Sequence, residues 1–428
     1  MKRGMLDRVL ATRIKRGRLT LTYASGRTAT FGRPEEGYPD VAVRFTDDKV
    51  PRDIVLDPRL GAGEAFMAGR LVMERGGIMD LVELVMGNNP FESRGKLLAP
   101  TLSRRIARQV AFVWHSFNKP SSSRKNVAHH YDIGNDLYKL MLDSEHMQYS
   151  CAYWPHDGMT LGEAQEAKLA HIAAKLAIEP GQTVLDIGCG WGGMAIYLAQ
   201  KYGVSVHGIT LSEEQIALAR QRAEEAGVAD RVRFELVDYR ELDARAATYD
   251  RIVSVGMFEH VGTPQYETFF RTCYNLLKPD GVMLLHTIGR MGGPSRTDAF
   301  TDKYIFPGGY IPALSEVIPR SEKIRLIATD IEFLRLHYAK TLRAWYQRCL
   351  EHKDEIVAMF DERFFRMWTF YLSGATAAFE SGSMCNYQIQ FARNRRALPL
   401  TRDYIEARER ALLGEDREEQ REKMLIGG

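Results

Sequence analysis

One run of ten residues constrains this chain more than any other. Val184-Leu185-Asp186-Ile187 is short and apolar, and Gly188-Cys189-Gly190-Trp191-Gly192-Gly193 follows with four glycines in six positions. Only glycine lets a backbone turn that sharply and bring its N–H groups close to a ligand, so the stretch reads as a buried parallel strand feeding a tight turn into a helix. The spacing of Gly188, Gly190 and Gly193 also fits a dinucleotide fingerprint, with a plain strand-to-helix turn as the structural alternative. The next strand separates the cofactors. A dinucleotide site expects an acid at the end of the second strand to hold the ribose hydroxyls. Here that end is Val204-Ser205-Val206-His207-Gly208-Ile209-Thr210-Leu211-Ser212, with no acid before Glu213. Asp186 instead sits inside the first strand.

Strands and helices alternate from there in the order a doubly wound sheet requires. Strands are expected at Val184–Ile187, Val204–Ile209, Val232–Leu236, Arg251–Val255 and Val282–Leu285, with helices at Met194–Lys201 and Glu213–Ala226. The unusual residues fall at the carboxyl ends of these strands: the glycine turn, Thr210, Asp238-Tyr239-Arg240, Gly256-Met257-Phe258-Glu259-His260 and His286-Thr287-Ile288-Gly289. In an open parallel sheet that edge is the ligand crevice. The expected fold class is therefore α/β, a doubly wound Rossmann-like domain, preceded by a smaller α+β domain.

At 428 residues the chain calls for two domains, and a hydrophobic share of 45% with 26% charged residues is that of a globular protein. The five cysteines stand singly at 151, 189, 273, 349 and 385. They form neither a disulfide framework nor a metal cluster, which points to a reducing compartment and no metal. No run of 18 apolar residues occurs, and Asp7 and Arg8 interrupt any signal-peptide core, so the expected location is cytoplasmic.

Charge is uneven. Residues 1–123 carry 21 Lys and Arg against 13 Asp and Glu, and nine of those bases precede Pro34, facing Asp7 alone. Leu6, Val9, Leu10 and Ile14 recur there at helical spacing, which describes either a solvated surface helix or a device for lying on an anionic membrane. Nucleic acid fits poorly, because the basic block is short and has little aromatic interleaving. A hairpin is expected over Leu19–Tyr23 and Thr28–Phe31, a strand at Val41–Phe45, and helices at Gly61–Glu74, Ile78–Met86 and Leu102–Trp114. Ser121-Ser122-Ser123 after Pro120 marks a linker, which gives domains at 1–118 and 124–395, a linker at 119–123 and a charged helical tail at 396–428.

Two aromatic stretches flank the core, Met147–Trp154 and Lys303–Tyr310, and Arg335–Leu342 opens a helix. In order and spacing, YSCAYW, VLDIGCGWGG, GITLSEEQ, MFEHVG, HTIG, KYIFPGG and HYAKTL resemble the cyclopropane fatty acid synthases and the mycolic acid cyclopropane synthases, over roughly residues 124–395. The resemblance implies an S-adenosylmethionine-dependent transferase. It places the cofactor at Tyr149, Ser150, Asp186, Gly188, Gly190, Trp191, Thr210, Gln215, Asp238, Tyr239 and Arg240. An alkene is a feeble nucleophile, so it needs the sulfonium methyl, and the cation left on the chain must be kept from water. Tyr149, Tyr153, Trp154, Phe258, Tyr304, Phe306, Tyr310 and Tyr338 suit that task as aromatic faces.

In this family the base that closes the ring is thought to be a bicarbonate ion. Its holders correspond to Cys151, Glu259, His286, Ile288 through its backbone, and Tyr338. The structural alternative is that these are buried polar residues satisfying one another. One departure is Ala375, where relatives often carry a cysteine, which puts a thiol mechanism in doubt. Cys385 reads as structural. The implied substrate is the unsaturated acyl chain of membrane phospholipid, reached peripherally at the inner, anionic face of the membrane. A methyl-branched or methyl-olefin product, or an inactive lipid-binding homologue, is the alternative. Acyl length, headgroup and oligomeric state, a homodimer included, stay open.

Overall fold

In the computed structural model, which describes residues 4–93, 134–242 and 248–413, the chain forms two compact units. The first comprises described residues of Met1–Ser116 together with Arg296–Gly309 and Ala339–Met384; the second holds the remainder. Two segments expected within the catalytic domain therefore pack with the N-terminal residues. The expected helix Leu102–Trp114, the linker at 119–123 and the tail beyond Leu413 lie outside the described residues.

The first unit contains a four-stranded sheet of β1 (Gly17–Thr22), β2 (Thr28–Arg33), β3 (Asp40–Phe45) and β4 (Leu71–Arg75), in the order β2-β1-β3-β4. β1 and β2 make the expected antiparallel hairpin, and β3 lies parallel to β1. The helix expected over Gly61–Glu74 stops at Met67, because Gly69 takes a left-handed φ of 67° and turns the chain into β4, which pairs with β3. Helix Glu362–Glu380 packs on helix Ile78–Gly87.

The basic N-terminal stretch forms the expected short helix. Helix Met5–Arg13 turns Leu6 into the unit's core, where Ile14 just beyond it is also buried, so its apolar side is covered by its own fold. Its buried Asp7 accepts from the Tyr23 hydroxyl and pairs with Arg27 at 2.8 Å. Arg16 pairs with Glu35 and Arg18 with Asp40. Part of the basic surplus is thus neutralised within the unit, and what the helix turns outward is charge rather than an apolar stripe.

The second unit is built on a seven-stranded sheet in the order β10-β11-β9-β8-β5-β6-β7. Its parallel core is β5 (Thr183–Ile187), β6 (Ser205–Thr210), β7 (Val232–Leu236), β8 (Tyr249–Val255) and β9 (Leu277–Arg290), all five at the expected places. Helices Gly193–Tyr202 and Glu213–Glu225 return the chain between them. The sequence reading missed β10 (Ile327–Phe333) and β11 (Met384–Ala392), which pair antiparallel with each other at one end of the sheet. The core is the apolar strand interior, with Val184, Val253 and Leu284 fully buried against helix residues such as Leu198 and Ala219.

Candidate active site

The glycine turn follows β5 as expected. Gly190 has a φ of 54°, and a Cβ built there would meet no atom within 4 Å, so it would project into open space. Gly193 is the opposite case: its Cβ would lie 2.1 Å from the His146 carbonyl oxygen, so the helix can begin here only because this residue has no side chain.

A cleft with about 740 Å³ of empty space, its open mouth included, lies at this carboxyl edge. That is the size range of small-molecule sites, roughly 300–1,000 Å³. Gly188, Gly190, Thr210, Gln215, Asp238, Tyr239 and Arg240 line it, together with His260, which had been noted only as part of a motif. The Thr210 hydroxyl donates to Gln215 Oε1 at 2.9 Å, so these two polar side chains occupy the place where a dinucleotide site has its acid. Asp238 is tied to Arg240 by a 2.6 Å ion pair.

Tyr149, Ser150, Asp186 and Trp191 do not line the cleft. Tyr149 packs on Tyr138, which also meets Trp191, and the Trp191 indole donates to Asn135 Oδ1 at 2.8 Å. Asp186 is 2% exposed, and its Oδ2 is buried with no hydrogen-bond partner. Burial pushes its carboxyl up to about 7, partly opposed by Lys168.

Lys168 is a site residue the sequence reading missed. It stands fully buried on helix Leu161–Lys175 and donates to Gln148 Oε1 and, at 3.1 Å, to Ser150 Oγ. One turn earlier Gln165 donates to the carbonyls of Gln148 and Ser150. This helix face therefore holds the segment carrying Tyr149, Ser150 and Cys151. Burial lowers the Lys168 ammonium to about 7, against the pull of Asp143, Cys151 and Asp186. A signal was available: Gln165, Lys168, His171 and Lys175 recur at helical spacing as a polar stripe.

The second cluster forms where β8 and β9 end. Glu259 Oε1 accepts the Ile288 N–H at 2.6 Å, while Oε2 is buried without a partner. Burial raises the Glu259 carboxyl, the Ile288 N–H opposing it. The Ile288 N–H is thus already engaged by Glu259, and its carbonyl accepts from the Thr287 hydroxyl, so its backbone has no donor left for an oxyanion. His286, two residues before Ile288 on β9, is fully buried. Cys151 is fully buried too, its Sγ 3.3 Å from the Ala152 carbonyl, and burial pushes its thiol up, which keeps it protonated rather than nucleophilic. Tyr338 is 6% exposed, and its neighbour His337 accepts the Trp154 N–H at 2.8 Å, which ties this end of the chain to the Cys151 segment.

The aromatic set is only partly a cavity set. Phe258 is core, stacked on Tyr266 at 4.2 Å and edge-on to Phe269. Tyr153 lies between the rings of His171 and His337. The Tyr310 hydroxyl donates to Glu316. Tyr304 and Phe306 belong to the first unit, where they meet Glu64 and Tyr371. Each of these five makes its contacts in the fold itself, which is the structural reading of them. Among the described residues no group of three or more His, Cys, Asp or Glu could hold a metal ion, and no helix is long and apolar enough to cross a membrane.

A model of the mycolic acid cyclopropane synthetase family matches residues 118–389. The chain is 45% identical over 279 residues to the cyclopropane-fatty-acyl-phospholipid synthase of Escherichia coli (strain K12), covering 65% of this chain and 70% of that one. It is 34% identical over 385 residues to the tuberculostearic acid methyltransferase UfaA1 of Mycobacterium tuberculosis, covering 86% of each. A solved structure of mycolic acid cyclopropane synthase CmaA1, complexed with SAH and CTAB, is similar with a TM-score of 0.59 at 35% identity, over 63% of this chain and 98% of that one. With a family match across more than half its length, this chain belongs to the mycolic acid cyclopropane synthetase family.

Proposed function

We propose that this chain transfers a methylene unit from S-adenosylmethionine to the cis double bond of an unsaturated acyl chain in membrane phospholipid, closing a cyclopropane ring. The observation that carries the reading is Glu259: a buried carboxylate anchored by one oxygen to Ile288, its second oxygen unpartnered, at the same sheet edge as the cofactor turn. The 45% identity to a bacterial cyclopropane-fatty-acyl-phospholipid synthase supports it.

The residues present fit the cofactor. The open space beyond Gly190 takes its bulk, and the Thr210–Gln215 pair offers polar partners in the cleft lining. When bound, S-adenosylmethionine supplies a methyl group electrophilic enough for an alkene to attack. Asp186, buried on β5 two residues before Gly188 of the lining, supplies negative charge beneath the cleft, and Gln165 with Lys168 keeps the Ser150–Cys151 segment in place. The second cluster fits a bicarbonate ion, which would supply a base. Glu259 Oε2 would accept its hydroxyl, and His286 and Tyr338 would donate to its oxygens. Cys151 remains a thiol beside it.

The substrate is in the membrane, so the enzyme works at the anionic cytoplasmic surface, and the basic excess before Pro34 favours that contact. A second reading, a methyl-branched product, is favoured by the likeness to the tuberculostearic acid methyltransferase, which reaches beyond the residues matched by the family model. Both readings share the cofactor site and differ after transfer.

Glu259→Gln tests the carrying observation. Turnover on unsaturated phospholipid vesicles is expected to fall roughly ten- to a hundred-fold, the weight of one hydrogen bond to a charged group, with cofactor affinity unchanged. Added bicarbonate is expected to restore degassed wild type better than the variant. Full turnover by Glu259→Gln removes the residue from the chemistry.

A further inference from the structure

Helix Glu213–Glu225 carries Gln215 of the cleft lining near its start and Arg222 further along. The Arg222 guanidinium donates from Nη1 to the Trp191 carbonyl at 2.5 Å and from Nη2 to the Glu145 carbonyl at 2.6 Å. Neither bond goes to a carboxylate, so the charge is spent on the course of the main chain, through hydrogen bonds of the stronger, charge-assisted kind. One planar fork thus joins the glycine turn to a loop that lies before the first parallel strand.

That loop is a hook tied by a single side chain. Asp143, 4% exposed, accepts the backbone N–H groups of His146 at 2.6 Å, Met147 at 3.0 Å and Gln148 at 2.9 Å. Met147 takes a left-handed φ of 48°, which residues with side chains avoid, and the carboxylate holds the chain there. The His146 carbonyl is the group that lies against Gly193, and Tyr149 and Ser150 follow directly. Beyond the hook, Gln165 and Lys168 hold Gln148 and Ser150; at its outer end, Arg222 holds the Glu145 carbonyl.

At the turn the same guanidinium sets a peptide plane. A trans peptide points its C=O and the N–H that follows in opposite directions. With the Trp191 carbonyl drawn to Arg222, the Gly192 N–H points back into the turn, where the Cys189 carbonyl accepts it at 2.9 Å. Gly190, with open space before it, is enclosed by that closure.

We propose that Arg222 is a positioning residue for S-adenosylmethionine: it fixes the closed form of the glycine turn and docks on it the hook that leads to Tyr149 and Ser150. This rests on the reading that places the cofactor at the turn. Because Gln165 and Lys168 hold the Ser150–Cys151 segment independently, the effect falls on cofactor affinity rather than on the acyl chain. Lysine replaces the arginine only in part, since its ammonium is a point charge without a fork.

Calorimetry with S-adenosylmethionine on the full chain reads the effect. Arg222→Ala is expected to bind roughly ten-fold or more weakly, the weight of one hydrogen bond to a charged group, with kcat at saturating cofactor and the KM for lipid within about two-fold of wild type. Arg222→Lys is expected to fall between the two. Dilute guanidinium chloride is expected to restore Arg222→Ala, and potassium chloride at the same strength is not. Wild-type affinity in Arg222→Ala overturns the proposal, and wild-type affinity in Arg222→Lys does so even if the alanine variant fails to fold. A loss that neither lysine nor guanidinium repairs also overturns it, because it reports damage to the helix rather than the missing fork. Gly190→Val tests the underlying reading separately: normal cofactor binding by that variant would take the cofactor away from the turn, and the role of Arg222 with it.

Discussion

With the cofactor site proposed above, cofactor binding is expected to depend on pH through Asp186. Its carboxyl is pushed up to about 7 by burial, and its Oδ2 is buried with no hydrogen-bond partner. S-adenosylmethionine carries a net positive charge, so the ionised carboxylate is the form that binds it. With a value near 7, about one Asp186 in eleven is ionised at pH 6 and about ten in eleven at pH 8, so affinity is expected to be about ten-fold weaker at the lower pH, or ~1.4 kcal/mol. Titration calorimetry at pH 7 in buffers of different ionisation enthalpy is expected to show about half a proton released per cofactor bound. Asp186→Asn is expected to bind weakly at every pH and to release none. Lys168→Met removes the cation that holds Asp186 down, so the inflection is expected to move to higher pH. A wild-type affinity flat from pH 6 to 8 would refute the reasoning.

Lys168 and the rest of the molecule give further tests. Lys168 is lowered from 10.5 to about 7, so its stability contribution is present above ~10.5 and is lost as pH falls through ~7; the melting temperature of Lys168→Met is therefore expected to gain on wild type as pH falls from 10 to 7, and an unchanging difference would show that Lys168 stays charged in the fold. Gly190→Val is expected to abolish S-adenosylmethionine binding by filling open space at a left-handed position, while NAD binds neither form; tight NAD binding by calorimetry would contradict the cofactor assignment. His171 lies between Glu332 and Glu409, and against its burial these hydrogen bonds hold it above the usual histidine value. Their stabilisation is present below ~6.5 and lost as pH rises through the raised value, so Glu409→Gln is expected to lower the melting temperature more at pH 6 than at pH 9. Vesicle binding is expected to weaken with salt, since the Debye length is only about 8 Å at ~0.15 M, and neutralising Lys2, Arg3 and Lys15 together to Gln is expected to weaken it further without touching the buried Leu6 and Ile14; equal vesicle binding by this variant would make the stretch a plain surface.

The parts of the fold that were legible are those in which local chemistry and global position agree. Five parallel strands could be placed because β5, β8 and β9 hold short apolar runs and β6 and β7 alternate toward the sheet's end, and the site could be placed because such a sheet gathers its strand ends at one edge. The cleft lining followed from that: seven of the eleven expected cofactor residues line it. What failed was set by tertiary contact. Gly69 ended a helix that apolar spacing would have continued, and Leu71 became sheet because Phe45 was there to pair with it. Phe258 looked like a cavity aromatic and is core, because Tyr266 and Phe269 cover its faces. Lys168 carried no motif; only the packing of its helix shows that a lysine is buried against Ser150. β11 carried a strand signal, since Cys385 to Phe391 alternate apolar and polar residues; what the alternation does not show is that its polar members are buried, Asn386 and Gln388 turning to His286 and Gln390 to the Lys175 carbonyl.

The central claim is methylene transfer to an acyl double bond, and the lipid product tests it most directly. Purified protein with S-adenosylmethionine and vesicles of a cis-unsaturated phospholipid is expected to yield acyl chains heavier by one CH2, with the olefinic proton signals lost and high-field ring protons in their place. Chains that gain the same mass but keep an olefinic proton would make the enzyme a methyltransferase that stops before ring closure. No mass gain in any acyl chain, from protein that binds S-adenosylmethionine tightly, would contradict the account.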